Sequence, residues 1–370
     1  MLDLLNIRES VLKIYLSRKF SPRKLMKHIK KKNIKRSGNL DKIDKNLLTL
    51  ATIQMRAEPV NKVEIYLDKI YEFIKTAVQN KAQLIVFPED SLTPLFGVIP
   101  QIKDLFEKEN REKIGNKPFG NIEEVISESF GENVKIIDIL KFITPYFKNI
   151  FLKVFPFLSK SFGVYIITGS AMLETENGKV KNIAYLCGPD GDILGNQEKC
   201  HLFLYEDEWG ITPGNDVNVF STKIGNIAFP ICMDATYFET FRIAYLKGAD
   251  IIAIPIANPE KYNIWKASRG IWSRVQETPC YGISSCLVGK FMGLTLTGRS
   301  GVFAPLELTS NSNGIISQAK TFNQEAEVIA KISLPKLHKY RKEIKLNKRF
   351  NIKIYKKYFP DIYSSIEQNS

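Results

Sequence analysis

Cys232 lies in GNIAFPICMDATYFETFR, a run beginning at Gly225 that reads as a buried strand over 227–231 and then a helix from about Thr236. A tight strand-to-helix turn exposes a thiol, and the first helical N–H groups favour its thiolate, so a cysteine there can serve as a nucleophile. Glu89 closes a second extended run, LIVFPED at 84–90, just after Pro88. Carboxyl ends of strands are where ligands meet an α/β sheet, which places this acid better for chemistry than one on a helix face. Lys199 follows a third β-rich stretch, in EKCHLFLYEDEWGITPGND. Each residue has an ordinary alternative when taken alone: a small buried hydrophobe for Cys232, a solvated strand end or helix cap for Glu89, an exposed charge for Lys199.

The elements that must position these residues follow from hydrophobic period. Residues 1–45 read as one or two basic amphipathic helices, and SGN at 37–39 breaks the pattern. The run LLTLATIQM at 47–55 is β-rich, 61–80 has apolar residues at helical spacing, and LIVFPED follows at once. Strand, helix and strand in that order make a βαβ unit and predict an α/β class with strands buried on both faces. A longer, helical and irregular stretch occupies 98–162. Its last part, 136–162, is dense in Phe with interspersed Lys, and reads either as an interfacial helix on a membrane or as a buried or dimer-facing helix hairpin broken at Pro145 and Pro156. Strands resume at 163–170, and a hairpin turns through GPDGD at 188–192. After the Cys232 segment come a buried strand in 247–258, a helix around 265–276, a strand in 282–290, a hairpin after Ser300 and a last strand at 326–334. No internal repeat is evident.

With 370 residues, 44% of them apolar and 25% charged, the composition is that of a soluble globular chain. Five cysteines without paired short spacing suggest neither a disulfide framework nor a zinc site, and a reducing cytoplasm is the expected compartment. No stretch reaches the roughly 20 unbroken apolar residues that cross a bilayer. The net charge of +14 is concentrated at 27–36 and 336–358. Such runs read as solvated faces, so a nucleic-acid partner is not expected.

Glu89, Lys199 and Cys232 occur in that order, each at the end of an extended segment, among further runs: ITGS before the middle hairpin, TPGND after the lysine, KGAD and IPIAN after the cysteine, and TGRSGVFAP near the end. This pattern resembles the nitrilase superfamily of carbon–nitrogen hydrolases over about 47–334. The resemblance implies a four-layer α-β-β-α sandwich over 46–335, with a basic helical extension at 1–45 and a basic tail at 336–370. It also implies a Glu-Lys-Cys triad that needs no metal or organic cofactor. Cys232 would attack, Glu89 would act as general base, and Lys199 with the Met233 N–H would stabilise the oxyanion of a tetrahedral intermediate. A second acid after the lysine falls at Glu206 or Glu208, of which Glu206 is preferred. Asn258 is an expected substrate contact and His201 a structural residue. Met233 and Asp234 depart from the aromatic residue and glutamate that typically follow the cysteine of true nitrilases, which points to small amide or carbamoyl substrates. Homo-oligomers are the family's habit. Acyl transfer through the same thioester, or a non-catalytic membrane-associated protein on this fold, are the alternatives.

Overall fold

The structure, a computed structural model, describes residues 2–36, 43–100, 102, 134–291 and 293–369. Helices α1 (Leu2–Lys19) and α2 (Pro22–Lys30) precede β1 (Leu48–Arg56), α3 (Val63–Gln79) and β2 (Leu84–Val86). The last three are the expected βαβ unit: β1 and β2 are parallel, with Leu50 opposite Leu84. Helices α4 (Ile136–Asn149) and α5 (Phe155–Phe162) lead to β3 (Tyr165–Glu174), β4 (Val180–Cys187) and β5 (Ile193–Glu198). The short α6 (Leu204–Glu208) is followed by β6 (Phe220–Thr222), β7 (Gly225–Ala228), α7 (Phe238–Leu246) and β8 (Ile251–Ile256). Next come α8 (Ile264–Ser268), α9 (Ile271–Glu277), β9 (Tyr281–Phe291), β10 (Leu294–Leu296), β11 (Gly301–Phe303), β12 (Ile315–Gln318) and β13 (Ala326–Ile332). The chain closes with α10 (Leu334–Ile344), α11 (Leu346–Arg349) and α12 (Ile352–Asn369).

The strands form two sheets joined at one end. In the first the order is β5-β4-β3-β2-β1, with β13 antiparallel on the free side of β1. In the second, β6-β7-β8-β9 continues through β11 to β12. They meet where Met55 and Arg56 of β1 pair with Leu287 and Val288 of β9. Alternating side chains along a strand point to opposite faces, and this sorts the core into layers. Leu84 and Val86 pack between the sheets with Ile227, Phe229, Ile251 and Ile283, while Ile85 and Phe87 face outward. The outer cover of the first sheet includes Leu16 of α1, Phe20 just after it, Ile29 of α2, Tyr66 and Ile70 of α3, and Phe155 of α5. Phe241 and Ala244 of α7, with Ile271 and Val275 of α9, cover the second. The layers therefore run helix, sheet, sheet, helix, as expected. Both chain ends contribute: Leu12, Leu16, Leu25 and Ile29 join the outer cluster, and Leu334 and Leu337 join the inter-sheet one.

Several local expectations are corrected. The segment 136–162 is one helical rod, not a hairpin. Pro145 sits inside α4, and a π turn at Ile150–Val154 carries the rod into α5, whose first turn holds Pro156. Its apolar residues are used internally: Phe147 packs on Phe20 and Phe96, Phe155 on Phe87, and Phe151 on Tyr185. At about 1.5–3 kcal/mol for each large apolar side chain buried, this contact with the core explains the Phe-rich pattern. Most of the polar stretch before it, 101 and 103–133, lies outside the described residues. The expected strand at 227–231 ends at Ala228, because Pro230 has no N–H to offer the ladder. The helix expected near Thr236 is a 3₁₀ turn, Cys232–Thr236, followed by α7. The single helix expected around 265–276 is split into α8 and α9 at Gly270. Among the described residues no helix is long and apolar enough to cross a membrane.

Candidate active site

Three strand ends and one turn converge. Glu89 stands just past β2, with the chain there held against β3: Phe87 N–H donates to Ile167 O (3.0 Å), Ser91 N–H to Ser170 O (3.1 Å) and Ser91 Oγ to Thr168 O (2.9 Å). That approach requires Gly169, whose φ is +73°; a Cβ there would lie 2.0 Å from Pro88 O. Asp90 adopts φ +51°, a left-handed conformation that aspartate tolerates better than most residues, so the turn departs directly after the acid. Lys199 follows the last residue of β5, and its N–H donates to Asn182 O of β4 (2.9 Å).

The Lys199 ammonium, only 2% exposed, lies between two carboxylates that are nearly as buried: 2.8 Å from Glu89 Oε1 and 2.6 Å from Glu206 Oε2. Of the acids in YEDEW, Glu206 is the one turned inward, whereas Asp207 and Glu208 are exposed. Glu206 Oε2 also accepts the Phe203 N–H at 2.7 Å, capping α6 with the same oxygen that holds the lysine. Asn182, unmarked in the sequence reading, donates both N–H bonds of Nδ2, to Glu89 Oε1 (3.0 Å) and to Glu206 Oε1 (3.0 Å). The other Glu89 oxygen, Oε2, accepts the Ala257 N–H at 2.8 Å. The segment after β8 thus reaches the acid through Ala257, while Asn258 is half-buried beside it and its carbonyl accepts the Thr297 N–H at 3.0 Å.

Cys232 is half-buried and opens the 3₁₀ turn with φ +45°, a conformation costly for a residue with a Cβ. Its thiol lies beside the Glu89 carboxyl, close enough for each to shift the other's pKa. Met233 follows in the first turn, where helical N–H groups lack intrahelical partners. His201, expected to be structural, pairs through Nδ1 with Asp234 Oδ1 at 2.8 Å. The structure thus brings together Glu89, Lys199, Glu206 and Cys232, and places Met233 and Asn258 adjacent in the chain to residues of that group.

Electrostatics follow from burial. Enclosure, then the Glu89 charge, push the Cys232 thiol well above the ordinary cysteine value, against the pull of Lys199. Enclosure likewise raises Glu89, with Lys199 the chief opposing influence and Glu206 adding to the rise. For Lys199 burial favours proton loss, but Glu89, Cys232 and Glu206 together hold the ammonium well above its usual value. The arrangement is a thiol and a carboxyl set side by side next to a fixed cation. Such a set can generate a thiolate and stabilise an oxyanion. Among the described residues no group of three or more His, Cys, Asp or Glu side chains is arranged to hold a metal ion.

The chain belongs to the carbon-nitrogen hydrolase family, whose model matches residues 49–342. Among individual relatives it is 35% identical over 205 residues to a probable hydrolase, YhcX, of Bacillus subtilis; the match spans 54% of this chain and 39% of that protein. It is 24% identical over 268 residues to omega-amidase NIT2 of Danio rerio, covering 66% of this chain and 92% of the relative. Among solved structures, a mutant amidase from Nesterenkonia sp. AN1, with covalent addition of the acetamide moiety of fluoroacetamide at its active site cysteine, superposes with a TM-score of 0.59. That superposition has 15% identity and covers 87% of this chain and 100% of the other.

Proposed function

We propose that the protein is a thiol-dependent hydrolase of carbon–nitrogen bonds other than peptide bonds, acting on small amides or carbamoyl compounds. The observation that carries this reading is the buried Glu89–Lys199–Glu206 network with the Cys232 thiol beside Glu89. Amide carbonyls are weak electrophiles and need a strong nucleophile and a held oxyanion. As the Cys232 sulfur forms its bond to the carbonyl carbon, Glu89 takes the thiol proton. The carbonyl π pair moves to oxygen, facing Lys199 and the Met233 N–H. Collapse breaks the C–N bond, Glu89 returns its proton to the departing nitrogen, and a thioester remains. Water, deprotonated by Glu89, then attacks the thioester and releases the acid and the free thiol. Glu206 and Asn182 keep lysine and base in place.

The omega-amidase among the relatives supports an amide substrate, and Met233 and Asp234 support amides over nitriles. Exposed apolar residues on α7 and α12, including Ile243, Leu246, Ile362 and Ile366, support self-association, which sedimentation would measure. The decisive assay is ammonia release from a panel of amides, carbamoyl amino acids and nitriles, beside Cys232→Ala, with intact mass read on the wild type. Turnover and an acyl mass on Cys232 are expected. A folded wild type as inert as the mutant on every class defeats the proposal.

A further inference from the structure

Another buried carboxylate, Asp234, sits next to the network without belonging to it. Asp234 lies two residues after Cys232 and is 0% exposed. Its Oδ1 accepts the His201 N–H (2.8 Å), His201 Nδ1 (2.8 Å) and the Cys200 N–H (3.1 Å), and its Oδ2 accepts the Ile231 N–H (2.8 Å). Cys200 and His201 follow Lys199 directly, and Ile231 immediately precedes Cys232. The His201 ring also stacks on Tyr237, at the entry to α7, with centroids 4.3 Å apart. One carboxylate therefore binds the backbone beside the lysine and the backbone beside the thiol, although the two come from different loops.

We propose that Asp234 is a positioning residue that fixes the Lys199 loop against the Cys232 turn and so sets the separation of ammonium and sulfur. The proposal rests on the catalytic reading above. Lys199 already has two carboxylates on its side chain, but these hold it to Glu89 and Glu206, not to the turn that carries the thiol. The Cys232 turn is strained at φ +45°, and a strained turn persists only when its surroundings over-determine it. Four hydrogen bonds to one enclosed carboxyl, the Ile231 bond fully buried, supply that constraint. Lys199 is also the cation that opposes the rise of the thiol's pKa, so a shift between the loops reaches the sulfur electrostatically.

Asp234→Asn keeps the volume but turns an NH₂ group toward N–H donors on one side of the clamp. His201→Ala leaves the core untouched, because the ring is 36% exposed, and removes one donor and the Tyr237 stack. Two readouts apply to both variants: steady-state kinetics on the best amide of the panel, and the rate of Cys232 alkylation by iodoacetamide, which needs no substrate. Asp234→Asn is expected to lower kcat tenfold or more with KM little changed, and to slow alkylation in parallel. His201→Ala, the variant with least risk to folding, is expected to show the same pattern at about threefold. A purely structural role would lower the melting temperature and leave both rates per folded molecule unchanged, and that result overturns the proposal. Slowed alkylation in an enzyme that turns over no amide would sustain the clamp and sink the hydrolase reading instead.

Discussion

Asn182 offers a sharp test of how the buried charges are balanced. Its Nδ2 donates to Glu89 Oε1 and to Glu206 Oε1, each at 3.0 Å, and its side chain is essentially enclosed. Asn182→Leu preserves the volume and removes both donors. A hydrogen bond to a charged group contributes about 1.5–3 kcal/mol net, and it favours the ionised carboxylate over the protonated one. If about half of one such bond distinguishes the two forms of Glu89, its loss raises the carboxyl pKa by about one unit, since a unit corresponds to 1.36 kcal/mol. Glu89 is already raised by burial against the pull of Lys199, so the substitution moves it further in the same direction. In the proposed mechanism Glu89 must be ionised to accept the thiol proton. The acid limb of kcat/KM against pH should therefore move upward by about one unit while the alkaline limb stays in place. Iodoacetamide alkylation of Cys232 followed over the same pH range reports the same shift without a substrate. A folded Asn182→Leu enzyme whose acid limb coincides with that of the wild type would refute the balance argued here.

Other consequences are equally direct. Lys199→Met leaves Glu89 and Glu206 buried without their cation, which should cost about 3–5 kcal/mol in urea unfolding at neutral pH. The deficit should shrink as acid protonates the two carboxyls; a variant as stable as the wild type at neutral pH contradicts the buried-pair reading. Gly169→Ala would press a Cβ onto Pro88 O and force a residue with a Cβ to φ +73°. It should lower the melting temperature and, by displacing Glu89, reduce the alkylation rate of Cys232; unchanged values of both would show that β3 does not set the Glu89 turn. Glu327 on β13 has a buried, unpartnered Oε1, and burial pushes its carboxyl up to about 7. Its folded pKa thus exceeds the unfolded one, so its share of stability is full below the unfolded value and is lost as pH rises toward 7. Chemical unfolding of Glu327→Gln should lack that part of the decline, and parallel stability curves for variant and wild type would exclude it.

The parts of this molecule legible in its sequence are those in which a side chain's chemistry and its place on an element coincide. Glu89, Lys199 and Cys232 each follow an extended run, so a strand end and a reactive group announce one another. Asn182 gives no such signal: in VKNIAYLC it is one polar residue within an alternating strand, and only the pairing of β4 with β3 and β5 brings it beneath two carboxylates. Glu206 was separable from Glu208 only once α6 fixed which acid turned inward. Asp234 was read for what it replaces, and its role as an acceptor depends on a loop more than thirty residues earlier in the chain. The 136–162 segment shows the opposite difficulty. Its Phe-rich pattern is the same whether the covering surface is a lipid layer or the protein's own sheet, and the choice is made by tertiary packing that period alone does not encode.

The charge count explains why such a site can be buried at all. With both acids ionised and the thiol neutral, the network would carry a net charge of one negative, with Lys199 between the acids. In the proposed mechanism, attack on an amide would move the thiol proton to Glu89 and a negative charge to the substrate oxygen, so the sum is unchanged; only the position of one charge shifts. In a low-dielectric site a reaction that conserves local charge avoids the desolvation penalty of creating a new ion, and the fixed ammonium favours the new position without reorganising. The raised pKa values of Cys232 and Glu89 then fit together. A thiol that does not ionise alone and a carboxyl that accepts a proton readily are matched for transfer during attack, not before it. On this reasoning Lys199 stabilises the product of proton transfer more than the resting thiol. Lys199→Met should accordingly depress kcat far more than KM; falls in kcat and KM by the same factor, leaving their ratio intact, would place the lysine in scaffolding and not in the chemistry.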